Sequence, residues 1–177
     1  AEWFTEVADK LVFRTKLGFG YLNSYNSEIG TPPFERFYLG GSGLSNFNLD
    51  AREIIALRGY DDNAVYSFDK KAKSPYNNTG QPFINKYTME MRYPLTLNPQ
   101  ATIFLLGFLE AGNTWHSFSQ YNPFDVKRSV GGGVRAFLPM FGMLGLDWGY
   151  RLDDIDTAPN MQRSQIHFTI GTNLGEL

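Results

Sequence analysis

The residue types that most often carry enzyme chemistry are scarce in this sequence. Cysteine is absent, which excludes disulfides, thiolate metal sites and cysteine nucleophiles, and neither His116 nor His167 has a matching ligand near it in the chain. No Gly-x-Ser-x-Gly elbow or phosphate-binding loop occurs. Some carboxylates could bind calcium but lack the spaced ligand order of an EF-hand: Asp61, Asp62, Asp153, Asp154 and Asp156. We therefore expect a protein that is not an enzyme and that uses no metal ion or cofactor.

Charge and composition narrow the class further. The 16 Lys and Arg residues nearly balance 18 Asp and Glu, a net charge of −2, and no basic stripe offers a site for nucleic acid. No segment approaches the roughly 20 apolar residues that a membrane-spanning helix needs. The first residues lack a basic region followed by an apolar run, so we expect a mature chain or a fragment. Composition does not shift along the 177 residues, which predicts one domain.

Many of the charged residues lie in runs where apolar and polar residues alternate over about ten positions, as in transmembrane β-strands. The sharpest run sets Leu144, Leu146, Trp148, Tyr150 and Leu152 against Gly145, Asp147, Gly149 and Arg151. Other such runs cover 11–21, 87–93, 129–138 and 165–174, and a further strand at 101–112 is apolar on both faces until Glu110. Their polar face would line a solvated barrel interior with mixed ion pairs: Arg14, Lys16, Glu90, Arg92, Arg135, Asp147 and Arg151.

The runs predict an all-β, antiparallel transmembrane barrel, with about six strands in this chain and the tail of an earlier strand at 3–7. Connections alternate between short ones (8–10, 96–100, 139–142) and long ones (23–82, 113–128, 153–163), as in barrels with tight periplasmic turns and longer outer loops. Four aromatic residues fall near the long loops, where the membrane boundary suits them: Tyr21, Tyr87, Trp115 and Trp148. Alternation alone leaves open a soluble sandwich or a lipocalin-like barrel.

Five sequence elements, in order, resemble those of the BamA-like superfamily, which includes outer-membrane protein assembly factors, TamA proteins and two-partner-secretion transporters. The first is a Gly-Gly element at 40–41 followed by the loop tip Leu-Arg-Gly-Tyr-Asp-Asp at 57–62. The others are Met-Glu-Met-Arg-Tyr-Pro at 89–94, Gly-Phe-Leu-Glu-Ala-Gly at 107–112, the glycine-rich strand at 129–135 and Phe-Thr-Ile-Gly at 168–171. Two departures are Glu110, where the family has Asp, and an end at Leu177 without a terminal aromatic residue.

The resemblance implies a bacterial outer-membrane protein with a 16-stranded barrel preceded by periplasmic POTRA domains. Residues 1–177 would be the C-terminal part of that barrel, with the upstream strands and POTRA domains outside this sequence. The implied function is an assembly factor that folds and inserts β-barrel proteins through a lateral seam without ATP. A two-partner-secretion pore and a passive structural barrel are the alternatives. Implied partners are outer-membrane lipids, unfolded outer-membrane protein clients, accessory lipoproteins and the remaining strands of the same barrel.

The resemblance also assigns site residues. The long extracellular loop would fold into the barrel lumen, with the tip Arg58, Gly59 and Tyr60 against the inner wall. The wall partners would be Glu110 first, with Gly112, Glu90 and Asp147, because a guanidinium engages a carboxylate through two parallel bonds. A surface-loop arginine beside two aspartates is the alternative. The seam strand, 164–174, would include Gln165, His167, Phe168, Ile170 and Gly171, and Gly171 is either its bend point or an ordinary strand glycine.

Overall fold

The computed structural model describes residues 1–24, 35–41, 54–66, 80–98, 101–139, 142–155 and 162–170. Within them, seven strands form one antiparallel sheet, in which each strand pairs with the strands that directly precede and follow it in the order given next. The strands are β1 (Glu2–Ala8), β2 (Leu11–Tyr21), β5 (Phe83–Asn98), β6 (Ala101–Trp115), β7 (Lys127–Leu138), β8 (Gly142–Arg151) and β9 (Ser164–Ile170). The predicted all-β antiparallel fold is confirmed, with β1 as the predicted tail of an earlier strand.

The two faces of this sheet differ as the alternation predicts, because successive side chains of a strand point to opposite sides. One face exposes large apolar side chains along every strand, including Leu17, Met91, Leu109, Leu146 and Phe168. The other face buries charged and polar side chains, including Arg14, Glu90, Glu110, Asp147 and His167. We call them the outer and the inner wall. This arrangement is the reverse of a soluble sheet, whose apolar face is enclosed.

The inner wall is covered by part of the long connection between β2 and β5. Two short parallel strands, β3 (Tyr38–Leu39) and β4 (Ile54–Ile55), lie in it. Its apolar side chains form a buried cluster with one residue of β5 and one beyond β8: Leu39, Ile55, Leu57, Tyr60, Val65, Ile84 and Ile155. The sequence did not predict β3 and β4, because two residues are too short to show an alternation.

Short turns and long connections lie at opposite ends of the sheet. The turn between β1 and β2 is formed by Asp9 and Lys10, and Lys10 has φ 62°. Among the described residues, no helix is long and apolar enough to cross a membrane.

The boundary aromatics are only partly as predicted. Tyr21 and Trp148 are about half exposed on the outer wall, and Tyr87 is partly exposed. The prediction is wrong for Trp115, which is 1% exposed because the ring of Tyr121 packs on it at 5.1 Å between centroids.

Candidate functional site

The tip of the long loop places one buried arginine among three carboxylates of the inner wall. The Nη2 atom of Arg58 lies 2.7 Å from Oε1 of Glu90 and 2.8 Å from Oε1 of Glu110, and its Nη1 lies 3.4 Å from Oδ2 of Asp147. These carboxylates come from β5, β6 and β8, so a single guanidinium contacts three strands. The four side chains form the cluster that we call the tip anchor.

Further cations complete the charge balance around the tip anchor. Glu90 also pairs with Arg14 at 3.1 Å and with Arg92 at 2.5 Å. Asp147 pairs with Arg135 at 2.5 Å, and the Lys86 ammonium lies 3.6 Å from Glu110. Buried carboxylates are tolerated only when they are paired and hydrogen-bonded, and these are both.

The guanidinium of Arg58 also lies over an aromatic ring, with Cζ 3.6 Å from the centroid of Phe108. Burial lowers the pKa of Arg58, but the carboxylates of Glu110, Glu90 and Asp147 outweigh burial and hold that pKa above its ordinary value. The residue therefore carries a fixed positive charge inside the wall.

The backbone of the tip is held as closely as the arginine side chain. The N–H of Arg58 donates to Oε2 of Glu110 at 2.8 Å, and the N–H of Gly59 donates to Nε2 of His167 on β9, also at 2.8 Å. The Tyr60 hydroxyl donates to the carbonyl of Arg128 on β7 at 2.7 Å. Burial, followed by the nearby Asp153 carboxylate, raises the pKa of Tyr60, so its hydroxyl stays a donor.

Two glycines permit this approach. Gly59 has φ +91°, a conformation that side chains rarely adopt. It faces Gly149 of β8, where a Cβ atom would lie 2.5 Å from the Gly59 nitrogen. The tip therefore rests directly on the backbone of β8.

The other predicted residues that the structure describes lie outside the tip anchor. Gly112 faces β3, since a Cβ there would lie 3.2 Å from Leu39 Cδ2. On β9, the Gln165 amide donates to the Asp61 carboxylate, while Phe168 and Ile170 are exposed on the outer wall. Gly171 and the rest of the predicted seam strand lie outside the described residues.

Several contributors were not predicted as site residues. Phe108 and Gly149 lie two positions from Glu110 and Asp147 respectively, on the same face of β6 and β8, so strand alternation was the signal that could have found them. The carbonyl of Arg128 offers no such signal, because any residue has one. In the described part of the chain, no group of three His, Asp or Glu residues is arranged to hold a metal ion.

The sequence of this chain is similar to known proteins over most of its length. The family model described as the Omp85 superfamily domain matches residues 1–174. The outer membrane protein assembly factor BamA of Nitratidesulfovibrio vulgaris is 28% identical over 130 residues, which are 73% of this chain and 14% of that protein. This chain thus spans about one seventh of that relative's length.

A solved structure shows the same fold. The crystal structure of BamA from Haemophilus ducreyi lacking POTRA domains 1–3 aligns with a TM-score of 0.64 at 17% identity, covering 94% of this chain and 32% of that one. At this identity the likeness extends to the fold alone, and this chain corresponds to about a third of the solved one.

Proposed function

The chain belongs to the Omp85 superfamily, and we propose that it is the C-terminal barrel region of a factor that folds and inserts β-barrel proteins. It lies in the bacterial outer membrane. In this proposal the upstream strands of a 16-stranded barrel and the periplasmic POTRA domains belong to the same protein, and insertion uses no ATP. Clients are unfolded outer-membrane proteins, with accessory lipoproteins as further partners.

The proposed working element is the seam strand at 164–174. Its described part, β9, lies at one edge of the seven-stranded sheet, and β8 is its neighbour. An edge strand presents backbone N–H and C=O groups that pair with an incoming strand almost independently of its sequence. One edge would therefore template many different clients.

The observation that supports a seam under control of the loop is the hydrogen bond between the Gly59 N–H and His167 Nε2. Arg58 ties the loop tip to the carboxylates of β5, β6 and β8, and the next residue reaches the edge strand. The Asp61–Gln165 contact adds a second link to β9. In our proposal, the docked tip fixes β9 relative to the wall, so that the sheet edge is presented in one geometry.

The two alternatives make different use of the inner wall. A pore that passes a soluble client through the lumen has to move the loop away from that wall, where Leu57 and Tyr60 are fully buried and Arg58 holds its ion pairs. A passive barrel has no use for a link between the tip and the edge strand. The packing of the loop therefore favours the seam over both.

A photocrosslinking pair tests the proposal in the full-length protein. Ile166 of β9 and Trp148 of β8 are paired in register, and both are exposed on the outer wall. The two positions therefore lie at the same height in the membrane, but Ile166 is on the edge strand and Trp148 is on its neighbour. A photoreactive phenylalanine at 166 should capture nascent outer-membrane proteins, whereas the same residue at 148 should capture lipid. Capture of one secreted soluble protein would instead indicate a secretion pore, and equal or no protein capture at both positions would indicate a passive barrel.

A further inference from the structure

The connection between β6 and β7, residues 116–126, folds back over the outer wall. We call this segment the flap. Tyr121 is its centre, with ring centroids 6.0 Å from Phe19, 6.3 Å from Phe83 and 5.1 Å from Trp115. These three residues belong to β2, β5 and β6, so the flap contacts the outer wall of three strands at their long-loop end.

Beneath the flap the outer wall also carries two polar side chains. Asn85 and Asn113 lie on the same faces of β5 and β6 as the exposed residues Met89 and Leu109, yet each is 3% exposed. The flap supplies their hydrogen bonds: Asn85 Nδ2 donates to the Tyr121 hydroxyl at 2.7 Å, and Asn113 Nδ2 donates to a flap carbonyl at 2.8 Å. Burying these side-chain amides without hydrogen-bond partners would be strongly unfavourable.

The height of the bare apolar wall locates the flap in the membrane. On β6, alternate residues from Ala101 to Leu109 face the outer wall, are at least partly exposed, and are all apolar or glycine. Eight residue steps at about 3.3 Å, tilted by about 40°, span about 20 Å of membrane thickness. Outer-membrane barrels present an apolar band about 25 Å tall, so the last ~5 Å falls at Tyr87 and the lower edge of the flap.

Two flap rings are uncovered. Phe124 is 89% exposed and Phe118 is 74% exposed. Phe124 follows Pro123, whose carbonyl accepts a bond from the Tyr87 hydroxyl at 3.4 Å, which places Phe124 beside the top of the bare wall. Phe118 packs on Phe83, which stacks on the exposed Tyr21 of the outer wall. The uncovered rings are thus continuous with the lipid-facing surface.

We propose that the flap is an interfacial anchor, with the ring of Phe124 inserted at the headgroup boundary of the outer leaflet. The ligand is the lipid surface itself. The flap would complete the apolar band at its outer margin, and it would keep the asparagines of the wall away from lipid. This inference requires only an outer-membrane barrel and is independent of which proteins the barrel handles.

Spin labels test the anchor in the full-length protein. In a version with no other cysteine, a nitroxide is attached at 124, at 109 on the bare outer wall, or at 120, an exposed polar position of the flap. The protein is reconstituted in liposomes, and collision with oxygen is compared with collision with a water-soluble nickel complex. Heat-modifiable gel mobility checks that each variant holds a folded barrel.

We expect Phe124→Cys to resemble Leu109→Cys, with strong oxygen and weak nickel collision, and Gln120→Cys to show the opposite. Nickel collision at 124 equal to that at 120 would overturn the anchor, because the ring would then face water. Protection of 124 from both reagents would also overturn it, because a protein partner or a second copy would then cover the ring.

Discussion

Replacing Arg58 with alanine should release the loop tip from the inner wall while the seven-stranded sheet stays folded. The side chain holds the tip through Glu90, Glu110 and Asp147, and these contacts lie between the loop and the wall. The ladders between strands do not use this side chain. The substitution therefore acts on docking of the loop.

The loss of docking free energy in Arg58→Ala depends on which partners each carboxylate retains. Glu90 and Asp147 retain other guanidinium partners, whereas Glu110 retains the Lys86 ammonium at 3.6 Å and the N–H of residue 58. Breaking a buried ion pair by removing one partner costs about 3–5 kcal/mol. Because the remaining cations compensate in part, we expect the lower end, about 3 kcal/mol, a roughly 150-fold shift toward the undocked tip.

Hydrogen exchange measures this shift directly. The amide N–H groups of residues 58 and 59 donate to Glu110 and His167, so both report docking. In Arg58→Ala both amides should exchange about 100-fold faster, and strand amides of β6 should keep their protection. Arg58→Lys should lie between the two, since an ammonium keeps the charge but lacks the planar fork.

The matched control is Arg128→Ala. Arg128 also pairs with a carboxylate, Asp153, but its side chain is 61% exposed, and the carbonyl that accepts from Tyr60 is retained in the variant. Its tip amides should exchange nearly as in the wild type. Unchanged protection of residues 58 and 59 in Arg58→Ala would refute the tip anchor, and loss of protection across β6 would show that Arg58 stabilises the whole sheet.

Three further predictions concern single contacts of the site. Gly149→Ala should displace the tip, because its Cβ would lie 2.5 Å from the Gly59 nitrogen, whereas Gly107→Ala, whose Cβ meets nothing nearer than 4.0 Å, should not; tip-amide exchange compares them. His167→Ala should speed exchange of the Gly59 amide about tenfold by removing its acceptor, and His167→Gln should restore part of the protection. The hydrogen bond from Arg128 lowers the pKa of Asp153. The wild type should therefore have a higher thermal midpoint than Asp153→Asn at neutral pH, and this difference should vanish as the pH falls through the lowered pKa.

Each of these has a contradicting result. Equal exchange in the two glycine variants would show that the tip does not rest on β8. An unchanged Gly59 amide in His167→Ala would remove the link to the seam strand on which our proposed function depends. A thermal difference for Asp153→Asn that grows toward acid pH would reverse the sign expected for a carboxylate with a lowered pKa.

The sequence alone predicted the all-β fold and which side chains share a face of each strand. Alternation placed Leu146 and Trp148 on one face and Asp147 on the other, and the structure confirms both the strands and the faces. The reason is local, since a strand's side chains alternate with a period of two whatever their surroundings. The family resemblance is confirmed by the match over residues 1–174. The roles of the tip and seam residues stay predictions.

Contacts between distant segments were decided by the tertiary structure. The sequence named Arg58 and Glu110 as partners, but their placement with Glu90 and Asp147 depends on the register of four strands across a loop of sixty residues. Trp115 shows the same limit, because a strand-end aromatic predicts a membrane contact, and only the folded flap buries it. The sequence of a strand indicates on which face of the sheet each side chain lies. Packing between remote parts of the chain determines what covers that face.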